Sequence, residues 1–329
     1  MSARMTETII VKAPFRISLF GGSTDYWDFY KNHGSFLIGT TIDKYVYQSM
    51  RIRPRILSHE SVITYSQQQL VKNWDEIHNP LIRGVLNHRN IIHNIEFFSS
   101  SDIPSRTGLG GSSAFCVGML HLLNKLFVVP NQTKKALVKE AIFIERALLR
   151  EPGGIQDQIW PVYGGLNTIE IQKGGEFLVK PLSVTTEFKE ELQKSMLLIY
   201  TNEQREQDTI AKSHEHVDKT AILQLAKEAH QFFLNEDIEQ IGRLLHQSWI
   251  EKKKISPLVS TGKINTIVEE VMRLGAYGVK LLGAGGCGFL LVICNPKVQH
   301  EIRIKFSQSI LDFEFENKGT SVIYDGNAQ

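Results

Sequence analysis

Near the start of the chain, apolar and polar residues alternate over several short stretches, the period of a half-buried strand. Ile9 to Lys12 in "TETIIVKAP" form one such strand, which Pro14 is expected to stop. "FRISLF" forms a second, with Arg16 and Ser18 set between Phe15, Ile17 and Leu19, and Gly21-Gly22 ends it. "STDYWDFYKNHG" then reads as a helical turn, with Ser23 or Thr24 as N-cap and Gly34 as stop. "DKYVYQSMRIRPRI" and "HNIEFFSSSDIP" return to strand patterning. After the stretch "TGLGGSSA", the run "AFCVGMLHLLNKLF" is apolar nearly all round, which predicts a buried helix. Residues 132–150 read as an amphipathic helix, with Ala136, Leu137, Ala141, Ile144 and Leu148 as its apolar positions, broken by "EPGG".

Beyond that break, "GGLNTIEIQKGGEFLVKPL" predicts a hairpin with Lys173-Gly174-Gly175 at its tip. "SMLLIYT" is a strand, residues 204–275 are mostly long charged helices, and "GVKLLGAGGCGFLLVIC" is strand, glycine loop, strand. "FEFENKGTSVIYD" is a last β-rich segment. This succession predicts an α+β fold. A composition shift at "SVTTEFKEEL" suggests two domains, 1–185 and 186–329.

Bulk properties narrow the function only by exclusion. The 329 residues carry a formal net charge of +2, with no long basic run and no aromatic-basic alternation, so nothing points to a nucleic-acid partner. Cys116, Cys287 and Cys294 lie in apolar contexts without C-x-x-C spacing and read as small buried hydrophobes. "MSARMTETII" has no signal-peptide core and no stretch approaches a membrane span, so a soluble cytoplasmic protein with no membrane partner, monomeric or homodimeric, is expected. His214 and His216 in "SHEHVDK" have no third partner at ligand spacing and read as helix surface.

The chemistry begins at "TGLGGSSA". Glycines let backbone N–H groups approach an anion, and a helix N-terminus adds unpaired donors and partial positive charge. The loop therefore suits phosphate, although a tight structural turn would look similar. It is not a Walker loop, which needs Gly-Lys-Ser/Thr, and it is not a dinucleotide loop, because its sixth position is Ser113 and no acid follows near Lys125 to Val129. Taken with "KAPFRISLFGGSTDY" and "KLLGAGGCGFLLVI", it resembles the second of three ordered motifs of the galactokinase, homoserine kinase, mevalonate kinase and phosphomevalonate kinase (GHMP) superfamily, over essentially the whole chain.

That resemblance implies the two-domain GHMP fold, an S5-like α/β domain followed by a ferredoxin-like α/β domain, and an ATP- and Mg2+-dependent small-molecule kinase. By resemblance, Gly108, Gly110, Gly111, Ser112 and Ser113 would cradle the ATP phosphates. The serine that touches magnesium falls on Ser112 counted from "GLG" and on Ser113 counted from "SSA"; Ser112 is favoured. Glu145 and Asp157 in "IERALLREPGGIQDQ" match the family's spacing of a metal-binding glutamate and a catalytic aspartate, although alone they would pass for a helix-face acid and a turn cap. Arg16 matches the basic residue of the first motif; a cation there can neutralise the γ-phosphoryl but cannot act as a base. Lys12, on a neighbouring face, is not expected to take part.

The acceptor is read from "GGSTDYWDFY". The segment keeps Thr24, Asp25 and Tyr26 but has Gly22-Ser23 where galactokinases carry glutamate-histidine, and so looks most like the heptose kinases of bacterial surface-sugar synthesis. A carboxylate suits a polyol because it accepts two hydroxyl hydrogen bonds. Asp25 with Gly22, Ser23 and Thr24, together with Gly153, Gly154, Gly285 and Gly286, is therefore expected to bind a sugar or sugar phosphate, such as D-glycero-D-manno-heptose 7-phosphate. Arg51, Arg53, Arg55 and Arg83 are candidates for an acceptor phosphate, with a solvated strand edge as the plainer reading of "RIRPR". Another sugar 1-kinase, and a sensor that binds ATP and sugar without turnover, are the competing readings.

Overall fold

The computed structural model describes residues 8–54, 56, 60–130, 132–203 and 207–326; the readings of Met1 to Glu7 and of Arg55 lie outside the described residues. The first domain is built on a nine-stranded sheet. Strand β1 (Ile9–Phe20), helix α1 (Trp27–His33) and strand β2 (Ser35–Ile52) come first, followed by β3 (Ser61–Thr64), β4 (Gln68–Val71), α2 (Pro80–His88) and β5 (Ile95–Ser101). Helices α3 (Gly111–Leu126), α4 (Lys134–Ile142) and α5 (Gln156–Tyr163) cover the sheet, and the predicted hairpin is β6 (Asn167–Ile171) with β7 (Phe177–Pro181). The 18-residue β2 organises this sheet. It pairs with β1 along most of its length, with β6 at its start and with β5 at its end.

The second domain holds α6 (Thr186–Ser195), β8 (Met196–Tyr200), α7 (Gln207–Lys212), α8 (Thr220–Leu234), α9 (Ile238–Ile255), α10 (Gly262–Arg273), β9 (Gly278–Leu281), β10 (Phe289–Ile293), α11 (Pro296–Lys305) and β11 (Ile310–Leu311). Its antiparallel sheet runs β11-β8-β10-β9. The chain then returns to the first sheet through β12 (Phe315–Glu316), against β2, and β13 (Ser321–Asp325), against β1. One buried apolar cluster crosses between the domains, packing Ile17, Leu19 and Ile38 with Phe233, Leu245 and Leu291. That shared core fixes the end of β1 against the β9–β10 loop, where the candidate site lies.

Three local expectations are corrected. Pro14 does not stop a strand: β1 runs through it, because the register with β2 shifts between Pro14 and Phe15 and β13 pairs only with Ile9 to Lys12. At such an irregularity a missing N–H breaks no ladder. Helix α1 is not capped by Ser23 or Thr24. It starts after Tyr26, Ser23 adopts a left-handed φ of 79°, and the Thr24 hydroxyl instead meets the Gly21 carbonyl and Ser35 Oγ; Gly34 is the stop, as expected. The helix expected over 132–150 begins at Lys134, capped by Thr133, and widens into a π-helical turn at Phe143–Leu148. The wider turn shifts the downstream register, so Leu148 is exposed while Ile144 and Glu145 are buried.

Candidate active site

A cavity of about 970 Å³ opens at the seam between the domains. Its floor is the meeting of two glycine loops. Gly108 adopts φ +80°, and a Cβ there would stand 2.7 Å from the Leu282 carbonyl oxygen; a Cβ on Gly283 would stand 2.4 Å from the Gly108 Cα. Only glycine lets these backbones touch, which explains why both stretches are glycine-rich. The first loop runs straight into α3, whose first intrahelical bond is Ala114 N–H to the Gly110 carbonyl and whose start no side chain caps. The N–H groups of the first turn are thus available to an anion at the cavity wall, which Gly110, Gly111, Ser112 and Ser113 line.

Arg16 projects from β1 beneath this loop, nearly buried. Its Nε and Nη2 donate to Asp157 Oδ1 and Oδ2 at 2.8 and 2.9 Å, and its Nη1 donates to the Gly108 carbonyl at 2.6 Å. The bidentate contact fixes both groups in one plane. Asp157 sits in the first turn of α5 and keeps 27% of its side chain exposed on the cavity side. One arginine therefore joins the phosphate-loop backbone to a carboxylate facing the cavity.

Glu145 lies in the π-helical turn, fully buried. Ser113 Oγ donates to its Oε2 at 2.7 Å, and Gln158 Nε2 donates both to that oxygen and to Ser113 Oγ. Glu145 Oε1 has no hydrogen-bond partner. Burial pushes the carboxyl up from its ordinary range, against the opposing pull of Arg146 and its two hydrogen bonds. A buried carboxylate oxygen without a donor, next to a serine hydroxyl at a phosphate loop, fits a hard divalent cation that takes few protein ligands. Among the described residues no cluster of three or more His, Cys, Asp or Glu suits a metal, so phosphate oxygens and water would supply the remaining ligands. The serine that meets Glu145 is Ser113; Ser112 is exposed on the cavity rim.

Asp25 also lines the cavity, 1% exposed. It accepts from Ser23 N–H at 3.1 Å, from Gln156 N–H at 3.0 Å and from Gln156 Nε2 at 3.0 Å, and burial raises its pKa. Gly154 makes room for it, since a Cβ there would stand 1.9 Å from Asp25 Oδ2. Gly22, Ser23, Gly153 and Gly154 line this end of the cavity. Thr24 does not, being fully buried beneath the turn. Gly285 and Gly286 do not either: they pack against Val259, whose carbonyl accepts the Gly286 N–H, and Gly283 and Ala284 face the cavity in their place.

The basic residues suggested for an acceptor phosphate are elsewhere. Arg51 pairs with Glu96 on an exposed strand face, Arg53 donates to the Glu60 carbonyl and Arg83 to the Ile77 carbonyl, and none lines the cavity. The cations that do line it, besides Arg16, include Arg146, Lys252 and Lys280. Arg146 donates through Nε and Nη1 to the carbonyls of Gly154, Glu151 and Pro152, bracing the "EPGG" loop. Lys252 donates to the carbonyls of Leu281 and Gly283, and Lys280 to that of Leu19 at 2.7 Å. Burial lowers both lysines, Lys280 to about 7, with Arg16 adding repulsion. Neither lysine was singled out from the sequence: Lys280 heads the "KLLGAGG" stretch, where that motif could have pointed to it, whereas Lys252, inside the surface-like run "EKKKI", carried no signal. His214 is corrected outright. It is fully buried rather than on a helix surface, and its ring bonds Ser23 and the Ala284 carbonyl.

Comparison with known proteins identifies the family. The model of the GHMP kinases N-terminal domain matches residues 77–165, and that of the GHMP kinases C-terminal domain matches residues 226–306. The chain is 27% identical to a D-glycero-alpha-D-manno-heptose 7-phosphate kinase of Campylobacter jejuni over 95% of this chain and 98% of that protein. It is 26% identical to a galactokinase of Pyrococcus furiosus over 87% of this chain and 89% of that protein. In fold it is similar to a D-glycero-D-manno-heptose 1-phosphate kinase from Bacteroides thetaiotaomicron, with a TM-score of 0.79 at 23% identity, covering 96% of this chain and all of that one. With both domain models matched in order around a shared phosphate-loop cavity, the chain belongs to the GHMP kinases, a superfamily of ATP-dependent phosphotransferases.

Proposed function

We propose that the protein is a sugar 1-kinase that transfers the γ-phosphoryl group of ATP to the anomeric hydroxyl of D-glycero-D-manno-heptose 7-phosphate, giving the 1,7-bisphosphate and ADP. The observation that carries this reading is the pairing, in one cavity, of a buried polyol-type acceptor (Asp25, held by Gln156 and Ser23) with the Arg16–Asp157 pair beside the phosphate loop. The likeness to the Campylobacter jejuni heptose 7-phosphate kinase over nearly the whole of both chains supports the choice of heptose. Arg146, on the same side as Asp25, supplies positive charge suited to an acceptor phosphate.

The C1 oxygen of the acceptor attacks the γ-phosphorus. The new O–P bond forms as the bond from phosphorus to the β,γ-bridging oxygen breaks, and ADP leaves with that electron pair. Asp157 orients the acceptor hydroxyl and takes its proton; Arg16 holds Asp157 in place and offsets charge on the moving phosphoryl group. The N–H groups at the start of α3, with Ser112, hold the phosphates. Ser113 and Glu145 would hold Mg2+, which supplies charge neutralisation on the phosphate oxygens. Lys252 and Lys280 brace the floor beneath them by donating to the Leu281, Gly283 and Leu19 carbonyls. The reaction is balanced without any other reactant.

The experiment is ATP consumption over a panel of sugars, each with and without a terminal phosphate. Heptose 7-phosphate should give the highest kcat/KM. A preference for free galactose or fucose would move the assignment to another sugar 1-kinase, and ATP and sugar binding without turnover would make the chain a sensor.

A further inference from the structure

His214 belongs to no described part of the phosphoryl-transfer machinery, yet it joins the three loops that build the acceptor end of the cavity. It follows α7, whose Ala211 lines the cavity. Its Nε2 lies 2.8 Å from the Ala284 carbonyl in the late glycine loop, and its Nδ1 lies 2.9 Å from Ser23 Oγ. A carbonyl can only accept, so Nε2 carries the proton and Nδ1 accepts from the serine hydroxyl. Burial and the nearby charges of Lys252 and Lys219 push the imidazole down to about 3, consistent with a neutral ring. The ring of Tyr26 stacks on it at 5.9 Å.

Ser23 is where this matters. A serine with φ of 79° is in a region that glycine prefers, and the turn would be easier to build with glycine. What the serine adds is its hydroxyl to His214. The same left-handed conformation directs its N–H to Asp25 Oδ1 at 3.1 Å. The chain of contacts therefore runs from the Ala284 carbonyl through His214 and Ser23 to the carboxylate that faces the acceptor.

We propose that His214 is a positioning residue for the sugar, acting through Ser23 to hold Asp25 and to fasten α7 and the late glycine loop around the acceptor end of the cavity. The proposal rests on the acceptor-kinase reading above, so its test uses whichever sugar of the panel gives the highest kcat/KM. Failure of the heptose assignment then leaves it intact.

The test is a double-mutant cycle on Ser23→Gly and His214→Gln, with KM for sugar and for ATP measured separately. Glycine suits the left-handed turn, and glutamine keeps a donor for Ala284 in place of the ring, so both variants are expected to fold. Each single variant should raise the sugar KM about tenfold while the ATP KM stays within about twofold, and the double variant should be no worse than the poorer single one by more than about twofold. Equal rises in both KM values, a loss confined to kcat, or additive effects would overturn the proposal. A substrate-independent arm uses nitrogen NMR of the imidazole. The wild type should show a neutral ring protonated on Nε2, and Ser23→Gly should shift the Nδ1 resonance. A ring that titrates near 6.5, or an Nδ1 signal unmoved by Ser23→Gly, would contradict the geometry on which the proposal stands.

Discussion

Replacing Gly154 with alanine drives a methyl group into the Asp25 carboxylate. A Cβ at that position would stand 1.9 Å from Asp25 Oδ2 and 2.2 Å from Cγ, where contacts under 3.0 Å essentially never occur. Either the carboxylate or the loop must move by roughly 1 Å or more. Neither is free to do so, because Arg146 holds the Gly154 carbonyl at 3.0 Å and the Asp25 carbonyl accepts the Ile155 N–H. The displacement stretches the bonds from Gln156 N–H and Nε2, both at 3.0 Å, out of range. Two hydrogen bonds to a charged group at about 1.5 kcal/mol each come to about 3 kcal/mol, or a loss of about a hundredfold in kcat/KM for the sugar. Overpacking should also lower unfolding stability by about 1–3 kcal/mol. Gly154, unlike Gly153, has no left-handed φ, so the effect is steric rather than conformational. The assay is initial-rate kinetics with sugar and ATP varied in turn, beside denaturant unfolding. Gly174→Ala, with nothing within 4 Å, is the control and should behave as wild type. A Gly154→Ala enzyme within threefold of wild type for the sugar would refute the placement of Asp25 in acceptor binding.

Other outcomes follow from the same geometry. Asp157→Asn should cut kcat by about 10²–10⁴-fold while ATP binding, followed by calorimetry, changes little. Ser113→Ala should raise the Mg2+ concentration needed for half-maximal rate by about tenfold, and Ser112→Ala should leave that requirement near wild type, as read from magnesium titrations of activity. Glu145 has a folded-state pKa raised above its unfolded value by burial, so without ligands its contribution to stability is present below the unfolded pKa and is lost as pH rises through the folded pKa. Glu145→Gln should remove that decline, so that unfolding curves of the ligand-free variant lie above wild type on the alkaline side of that window. Arg16→Lys keeps the charge but loses the bidentate contact with Asp157, and should lower kcat by at least tenfold with ATP KM little changed.

Much of the site was legible because phosphate chemistry leaves a dense local signature. Glycines that permit close backbone approach must cluster in sequence, so the two loops meeting at Gly108 and Gly283 announced themselves, as did Arg16 between the apolar Phe15 and Ile17. Asp25, Glu145 and Asp157 could be named, but the neighbours that give them their chemistry could not. Gln156 and Gln158 lie beside Asp157 in sequence and reach two different carboxylates, a division that only the turn of α5 determines. The widening of the helix at Phe143–Leu148 has no period that marks it, so Leu148 was placed inward. His214 and Lys252 come from charged, surface-like stretches, and tertiary packing alone buries them. Gly285 and Gly286 were misplaced because a glycine needed for packing against Val259 looks the same in sequence as one facing a ligand.

The most direct test of the central claim is phosphorus and proton NMR of the product formed from ATP and D-glycero-D-manno-heptose 7-phosphate. Stoichiometric ADP and one new phosphate signal coupled to the anomeric proton, with the 7-phosphate signal retained, are the expected result. ADP without a new anomeric phosphate, or a new phosphate on any other carbon, would contradict it.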